Sequence, residues 1–168
     1  MDEIVNKVAG SGLVSLDLEE FLEEGERVLF DIKPFLFQGL MLKEKDFREQ
    51  IKNHDWSAYS GKLIALHCSS EAIVPTWAYM LLALSLEPYV KKVVFGDLND
   101  LEKQLFAEKL AKLDVDQYKG ARVVIKGCGD SRVPLNAYVQ ITSLLRPHAK
   151  TIMFGEPCST VPLFKSKS

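Results

Sequence analysis

The chain has 168 residues, 47% of them hydrophobic and 26% charged, and its formal net charge is -2. A chain of this length buries about 70% of its unfolded surface, so it holds a core without a metal or disulfide. The weak acidity, with no basic run interleaved with aromatic residues, excludes the usual electrostatic footprint of a nucleic-acid-binding protein. We therefore expect a folded, soluble protein that binds no nucleic acid.

The predicted elements of the first 41 residues are irregular. Residues 1–12 predict a short helix, residues 13–18 a strand or extended arm, residues 19–25 an acidic turn, and residues 27–32 a second strand. Residues 1–41 are therefore expected to add N-terminal strands or an arm at the edge of a sheet.

From Leu42 onward, charged amphipathic stretches alternate with short apolar runs. Continuous Val/Ile/Leu runs are typical of parallel strands that helices cover on both faces. The sequence thus predicts an α/β fold, a three-layer sandwich with a mainly parallel sheet. The predicted helices span 44–53, 73–86, 101–113 and 133–146, and the predicted strands span 63–67, 92–95, 122–126 and 151–154.

An internal repeat underlies this alternation. Residues 42–97 align with residues 101–156 without a gap, which indicates a duplicated helix-strand-helix-strand unit. We expect a single domain over 1–168 in which residues 157–168 form a C-terminal loop and tail. Identical pairs include Tyr59/Tyr118, Gly61/Gly120, Val74/Val133, Pro75/Pro134, Tyr79/Tyr138, Phe95/Phe154 and Gly96/Gly155.

Two predicted helices each contain a Val-Pro pair in their first turn, and they differ in polarity. Residues 73–86 are apolar on every face, whereas residues 133–146 carry several polar side chains. A helix that is apolar all round has to be covered all round. We therefore expect it to pack against a second subunit in a homodimer, or against the N-terminal segment.

The N-terminus and the cysteines indicate a cytoplasmic protein. Residues 1–4 lack the positive and then apolar pattern of a secretion signal. The longest uncharged run, residues 72–86, is shorter than the roughly 20 residues that a membrane-spanning helix needs. The chain has 3 cysteines, an odd number that predicts reduced thiols rather than a disulfide framework. We expect no membrane association.

Chemistry-bearing residues follow all four predicted parallel strands. Ligands of open α/β sheets bind outside the carboxyl ends of the strands, where loops and helix N-termini converge. All three cysteines and one histidine fall on this predicted edge, which therefore predicts a small-ligand or metal site. The four strand ends read His67-Cys68-Ser69-Ser70-Glu71, Gly96-Asp97, Gly127-Cys128-Gly129-Asp130-Ser131 and Gly155-Glu156-Pro157-Cys158-Ser159-Thr160.

Two chemical interpretations concern the cysteines. The ligand types that zinc accepts in tetrahedral geometry are present as His67 or Cys68, together with Cys128 and Cys158, with Asp97 or Glu156 in support. Alternatively, Cys158 or Cys128 is a nucleophile, His67 is its base, and Glu156 or Asp97 orients the imidazole. No known metal or cysteine-enzyme signature surrounds these residues, so the sequence leaves both alternatives open.

Two further interpretations remain. Gly127-Cys128-Gly129 before a helix suits a glycine-rich turn whose N–H groups bind an anion, and Asp130 adjoins it. Asp97, Glu156, Ser159, Thr160 and Asp130 are the candidate ligand-binding residues. The rival class is a non-catalytic, homo-oligomeric interaction protein whose cysteines only pack. His54, beside Trp56, is expected to be a packed histidine.

Three strings together carry a family resemblance. They are the run from His67 to Met80 (HCSSEAIVPTWAYM), Gly127 to Asp130 (GCGD) and Gly155 to Pro162 (GEPCSTVP). With them, nearly the whole chain resembles a bacterial family classed as a domain of unknown function. The resemblance implies a cytoplasmic bacterial protein and brings no activity, cofactor or catalytic residue with it.

Overall fold

A computed structural model describes residues 12–127, 129–156 and 158–167, together with the backbone of residues 6–8. Within these residues no helix is long and apolar enough to cross a bilayer. The α/β fold class, the mainly parallel pairing and the N-terminal strands are confirmed. The helices are α1 Glu44–Asn53, α2 Thr76–Leu86, α3 Leu98–Ala111 and α4 Leu135–Leu145; the strands are β1 Asn6–Val8, β2 Leu13–Leu16, β3 Arg27–Asp31, β4 Leu63–His67, β5 Lys92–Phe95, β6 Arg122–Ile125, β7 Thr151–Glu156 and β8 Ser159–Lys165.

The chain divides into two compact units, the first of which, the middle unit, is Glu24–Leu101. Its three strands form one parallel sheet in the order β3-β4-β5. One face of the sheet packs against α1 and α2, because apolar side chains recur at helical spacing on both helices. The buried core of this unit contains Phe30, Ile32, Phe35, Phe47, Ile51, Ile64, Leu66, Ala78, Leu82 and Leu86.

The second unit, the terminal unit, contains the residues up to Glu23 and from Glu102 onward. Its five strands have the order β1-β2-β6-β7-β8. The three inner strands are parallel, and β1 and β8 flank them in antiparallel pairing. Its buried core includes Leu16, Leu18, Phe106, Leu110, Tyr118, Val123, Ile125, Ala137, Ile141, Leu145 and Ile152.

The repeat is visible in the structure of each unit. The order helix, 3-10 turn, strand, helix, strand occurs once over 44–95 and again over 98–156. Gly61 and Gly120, at equivalent positions, both have positive φ, at 74° and 69°, and so form the same turn. The strand registers extend the equivalence, because β3 lies beside β4 as β2 lies beside β6. Asp31 of β3 thereby corresponds to Asp17, the residue after β2.

The eight predicted elements after Leu42 are present, with boundaries that differ by a few residues. α2 begins at Thr76 rather than at residue 73, and α4 at Leu135 rather than at residue 133, because each helix starts directly after its proline. Proline lacks an N–H and is favoured in the first turn or just before it. The helix predicted over 101–113 starts earlier, at Leu98.

Two predictions at the chain ends were wrong. Ser159–Lys165, expected to be a loop and tail, is strand β8 and pairs with β7, with a register shift between Ile152 and Met153. That irregularity accommodates Pro162, which cannot donate to the ladder. Asn6–Val8, expected to be helical, is strand β1, while the rest of the predicted helix up to residue 11 lies outside the described residues.

The strands do not lie in one sheet, as the mainly parallel sheet of the prediction implied, but in two. The pattern within a strand indicates burial on both faces but does not name the neighbouring strand. Assignment of 1–168 to a single domain stays a prediction.

Candidate functional site

The carboxyl edge of the three-stranded sheet brings an acid beside a histidine. Asp31 ends β3 and His67 ends β4, and the two residues are partners in the parallel register. Side chains of register partners on adjacent strands point to the same face of a sheet. Both side chains are half-buried. This edge therefore holds a carboxylate and an imidazole on one face.

Asp31 is fixed by hydrogen bonds from the loop after β4. Its Oδ1 accepts from the backbone N–H groups of Lys33 and Ser69, at 3.0 Å each, and its Oδ2 accepts from the Ser69 hydroxyl at 2.5 Å. Burial acts to raise the pKa of Asp31, but the Ser69 and Lys33 hydrogen bonds and the nearby His67 outweigh it, so this pKa lies below its ordinary value. The carboxylate is therefore ionised at neutral pH.

Cys68 lies on the helix-covered face of the same edge. Its side chain is half-buried against the core of the middle unit. Its Sγ donates to the carbonyl oxygen of Ser70 at 3.5 Å and lies 3.3 Å from the Ser70 hydroxyl. Its sulfur therefore packs against the core and the following loop.

Tyr79, on α2, completes this group of polar side chains. Burial raises the pKa of its phenol, and the nearby Cys68 and Asp31 add to the effect. Its ring packs edge-on against Phe95 at the end of β5, with ring centroids 5.1 Å apart. Asp31, His67, Cys68, Ser69 and Tyr79 are hereafter called the Asp31 cluster.

Asp97, a candidate ligand-binding residue in the same unit, caps a helix. Its Oδ1 accepts from the N–H of Asp100, and the Asp100 carboxylate accepts from the N–H of Asp97, both at 2.9 Å. These reciprocal bonds satisfy the free N–H groups at the start of α3. Its carboxylate thus has a structural task that the sequence pattern did not suggest.

In the terminal unit, the glycine-rich turn after β6 does bind an anion, and that anion belongs to the chain. Oε1 of Glu19 accepts from the N–H groups of Gly129 and Asp130, at 3.1 Å each. The Asp130 carboxylate accepts two hydrogen bonds from the Arg132 guanidinium, at 3.1 and 2.7 Å, and one from the Arg132 backbone N–H at 2.9 Å. The predicted pocket for an external anion is therefore filled at these two N–H groups by an internal carboxylate. Cys128 lies outside the described residues.

Glu156, Ser159 and Thr160 belong to the antiparallel strands β7 and β8. Glu156 ends β7 and pairs with Ser159, the first residue of β8, and Cys158 is exposed between them. The Thr160 hydroxyl lies 3.7 Å from the sulfur of Met153. The antiparallel return of the chain at this point explains why polar residues follow the strand.

The predicted site residues thus belong to different units. His67 and Asp97 are in the middle unit, whereas Asp130, Glu156, Cys158, Ser159 and Thr160 are in the terminal unit. Among the described residues there is no group of three or more His, Cys, Asp or Glu side chains that could hold a metal ion. The zinc interpretation, which requires Cys128, stays a prediction.

Sequence reasoning missed Asp31 and Tyr79. The sequence predicted Asp31 only as part of an edge strand. An acid at the end of a strand is nevertheless typical of a turn in which its carboxylate accepts from the backbone N–H two residues later, here that of Lys33. Tyr79 was recognised only as a repeated residue. Neither signal locates the loop that these side chains contact, because that loop is more than thirty residues away from Asp31 in sequence.

No curated protein and no solved structure matches the chain. The family model described as protein of unknown function (DUF2480) matches residues 2–166, in agreement with the resemblance of the three strings. The chain therefore belongs to the DUF2480 family.

Proposed function

We propose that this chain is a cytoplasmic protein that binds a small polar ligand at the carboxyl edge of its three-stranded sheet, through the Asp31 cluster. The single observation that carries this proposal is the ionised Asp31 carboxylate, which is held in place from the β4 loop beside the half-buried His67. Carboxyl edges of parallel sheets are the usual ligand sites of α/β proteins. Free Cys68 and Cys158 fit a reducing compartment.

The cluster is better suited to binding than to thiol catalysis. The oxygens that Cys68 Sγ contacts are the Ser70 carbonyl and hydroxyl, and neither is a base that would activate a nucleophilic thiol. Asp31 provides a fixed negative charge, and His67 and the loop hydroxyls provide hydrogen-bonding groups. We expect a ligand that carries hydrogen-bond donors or a positive charge.

Ligand-observed saturation-transfer NMR tests this proposal with a library of small polar fragments, cationic and anionic. Fragments that bind wild type should lose their signal with His67→Gln and with Asp31→Asn. His148→Gln is the matched control, because His148 is also half-buried but lies in the terminal unit, beside Asp116. Absence of binding at millimolar concentration, or equal binding by all variants, would refute the proposal.

A zinc titration distinguishes the metal alternative. Stoichiometric Zn²⁺ that is lost with Cys158→Ala would favour the site of His67, Cys128 and Cys158. The nucleophile alternative predicts that a mild alkylating reagent modifies Cys158 or Cys128 faster than an ordinary exposed thiol at neutral pH.

A homodimer is the second candidate, and the exposure of α2 and its preceding loop favours it. Met80 and Leu84, one turn apart on α2, are 62% and 66% exposed, and Ile73 in the preceding loop is 91% exposed. Single exposed apolar residues are ordinary, but a row of them is typical of an interface. Sedimentation velocity of wild type and Met80→Glu tests this candidate, and a wild-type monomer at high concentration would remove it.

A further inference from the structure

A groove runs along the outer side of β3 in the middle unit. It has a volume of about 800 Å³. One wall is four consecutive residues of the strand, Val28 to Asp31, and the other is one face of α1. Asp46, Glu49, Gln50 and Asn53 recur on α1 at the spacing that puts side chains on one helix face. The remaining lining residues are Pro34, Phe35, His54 and Tyr59.

Charge is distributed unevenly in this β3 groove. Its described lining contains three carboxylates, those of Asp31, Asp46 and Glu49, and no lysine or arginine. Asp46 and Glu49 are both exposed, so their charges face the solvent of the groove. The groove is therefore complementary to a positively charged partner.

A packed aromatic cluster that includes Phe30, Phe35, His54 and Tyr59 borders the groove. The His54 ring packs 4.5 Å from Trp56 and 5.4 Å from Phe35, and its Nε2 lies 3.1 Å from the Tyr59 hydroxyl. Phe30 stacks on Phe35 and on Trp56 with centroids 5.7 and 5.8 Å apart. Because Phe30 and Phe35 are buried and stack on each other, this cluster fixes the shape of the groove and leaves the recognition of charge to the carboxylates.

The backbone of β3 offers hydrogen-bonding groups to the groove. β3 is an outer strand of its sheet in the part of the chain that the structure describes. The bonds from Leu63 N–H to the Glu26 carbonyl and from Ile32 N–H to the His67 carbonyl, at 2.9 Å each, show that even-numbered residues of β3 pair with β4. Because these directions alternate along a strand, the N–H and C=O of Leu29 point away from β4.

In the terminal unit, a strand occupies the position that corresponds to the β3 groove. Its equivalent of β3 is β2, and the outer edge of β2 is covered by β1 in antiparallel pairing, with Val14 opposite Lys7. Val14 corresponds to Val28, a residue that lines the β3 groove. The repeat therefore contains an antiparallel strand at the position that the groove occupies in the middle unit.

We propose that the β3 groove binds an extended, basic peptide segment of another protein, which adds to β3 as an antiparallel strand. Main-chain bonds to Leu29 would supply sequence-independent affinity, as in other cases of strand addition. Every second side chain of the peptide would face α1, where Lys or Arg would meet Asp46 and Glu49. This site shares only Asp31 with the Asp31 cluster, and it is argued independently of the ligand proposed there.

Fluorescence polarisation with blocked, labelled heptapeptides tests the proposal on the full chain. The probes share a Thr/Val frame and carry Lys, or Glu, at alternate positions. We expect saturable binding of the Lys peptide and none of the Glu peptide. Glu49→Lys should weaken binding by roughly fivefold, because it replaces an attraction by a repulsion of similar size. Glu44→Lys is the matched control, since it changes the same charge on α1 outside the groove.

Two perturbations test strand addition apart from charge. Leu29→Pro removes the outward N–H and should weaken binding about tenfold or more. An N-methylated Lys peptide with wild-type protein makes the same test without any risk to folding, and it should bind as poorly. Equal binding of methylated and plain peptides, equal effects of Glu49→Lys and Glu44→Lys, or no binding at millimolar peptide would each overturn the proposal. So would a wild-type dimer that Leu29→Pro dissociates, because a second copy would then occupy the groove.

Discussion

Two tyrosines at equivalent positions of the repeat differ in one hydrogen bond. The Tyr59 hydroxyl lies 3.1 Å from His54 Nε2. The Tyr118 side chain is 1% exposed, and its hydroxyl has no hydrogen-bond partner among the described residues. Leu113 occupies the place of His54 in the second copy and has no polar atom in its side chain. Substitution of each tyrosine by phenylalanine should therefore change stability in opposite directions.

The expected magnitudes follow from the cost of burying polar atoms. An unsatisfied buried hydroxyl costs about 1–3 kcal/mol, so Tyr118→Phe should raise the free energy of unfolding by about 1 kcal/mol at neutral pH. The Tyr59 hydroxyl has a partner, and net hydrogen bonds contribute about 0.5–1.5 kcal/mol. Tyr59→Phe should therefore lower the free energy of unfolding by a similar amount.

The pH dependence supplies a second, independent signature. Burial raises the pKa of Tyr118 to about 12, with the negative charges of Glu20 and Asp114 adding to it. In the unfolded chain this pKa is about 10, so the unfolded state loses the proton first and wild type loses stability as pH rises from about 10 to about 12. The full difference of 2 units corresponds to about 2.7 kcal/mol, half of it reached near pH 11. Tyr118→Phe lacks this loss.

Urea unfolding followed by circular dichroism, at neutral pH and near pH 11, measures both effects. The free energy gained by Tyr118→Phe over wild type should increase by about 1.4 kcal/mol between the two conditions. The effect of Tyr59→Phe should change less between the two pH values, because burial raises the pKa of this phenol in a less buried site. A Tyr118→Phe variant that is less stable than wild type at both pH values would refute the reasoning.

Three further predictions concern backbone, thiols and the acid of the cluster. Gly96→Ala should destabilise the protein by about 2 kcal/mol or more in thermal unfolding, because φ is 131° and an added Cβ would lie 2.6 Å from Asp100 Cβ. Gly61→Ala is the control and should cost less, because φ is 74° and an added Cβ would have no atom within 4 Å. Equal costs for the two substitutions would contradict this reasoning. Cys158 should react with an aromatic disulfide reagent before Cys68 does, because Cys158 is exposed and Cys68 packs on the core. The variants Cys158→Ser and Cys68→Ser assign the fast and the slow phase of the reaction. Fast reaction of Cys68 would contradict its packed position. Asp31→Asn should be slightly less stable than wild type at neutral pH. This difference in stability should vanish as pH falls through the lowered pKa of Asp31, below 3.8. A difference that persists in acid would exclude ionisation of Asp31 as its cause.

The fold could be predicted as far as local patterns specify it. The Val-Pro pairs before α2 and α4 and the apolar runs of β4 to β7 gave the elements, since proline position and periodicity act within a few residues. β8 was missed because its side chains are mostly exposed and Pro162 interrupts its pattern. The division of the strands between two sheets depends on which strands pair, and the repeat makes both sets of strands alike in sequence.

Local patterns likewise pointed to only some residues of the candidate site. His67 and Cys68 stood out because they lie where a clear strand ends, which is where polar side chains at a sheet edge are expected. Asp31 was not selected, since its role depends on hydrogen bonds from Ser69 across the sheet edge. Glu19 was read only as part of an acidic turn, yet its carboxylate holds the glycine-rich turn. Contacts of this kind arise from tertiary packing and leave no local signal.

The repeat also separates scaffold from function. Tyr79 with Phe95 recurs as Tyr138 with Phe154, again edge-on, at a centroid distance of 5.8 Å. The acid after the first strand recurs as well, since the carboxylate of Asp17 accepts from the N–H of Glu19 at 2.9 Å as that of Asp31 accepts from Lys33. In both copies these features contribute to the fold, and in the middle unit Asp31 and Tyr79 also belong to the Asp31 cluster.

His67 and Cys68 do not recur, because Lys126 and Gly127 occupy their positions in the second copy. The hydrogen bonds from Ser69 to Asp31 depend on the same divergent loop. The described sheet of the terminal unit has antiparallel strands on both sides of its parallel core, whereas that of the middle unit has none. A duplicated unit that keeps its packing residues but changes its loop and its strand edges has diverged at the positions where we propose that a ligand and a peptide bind. The middle unit is therefore the copy in which substitutions should separate binding from stability.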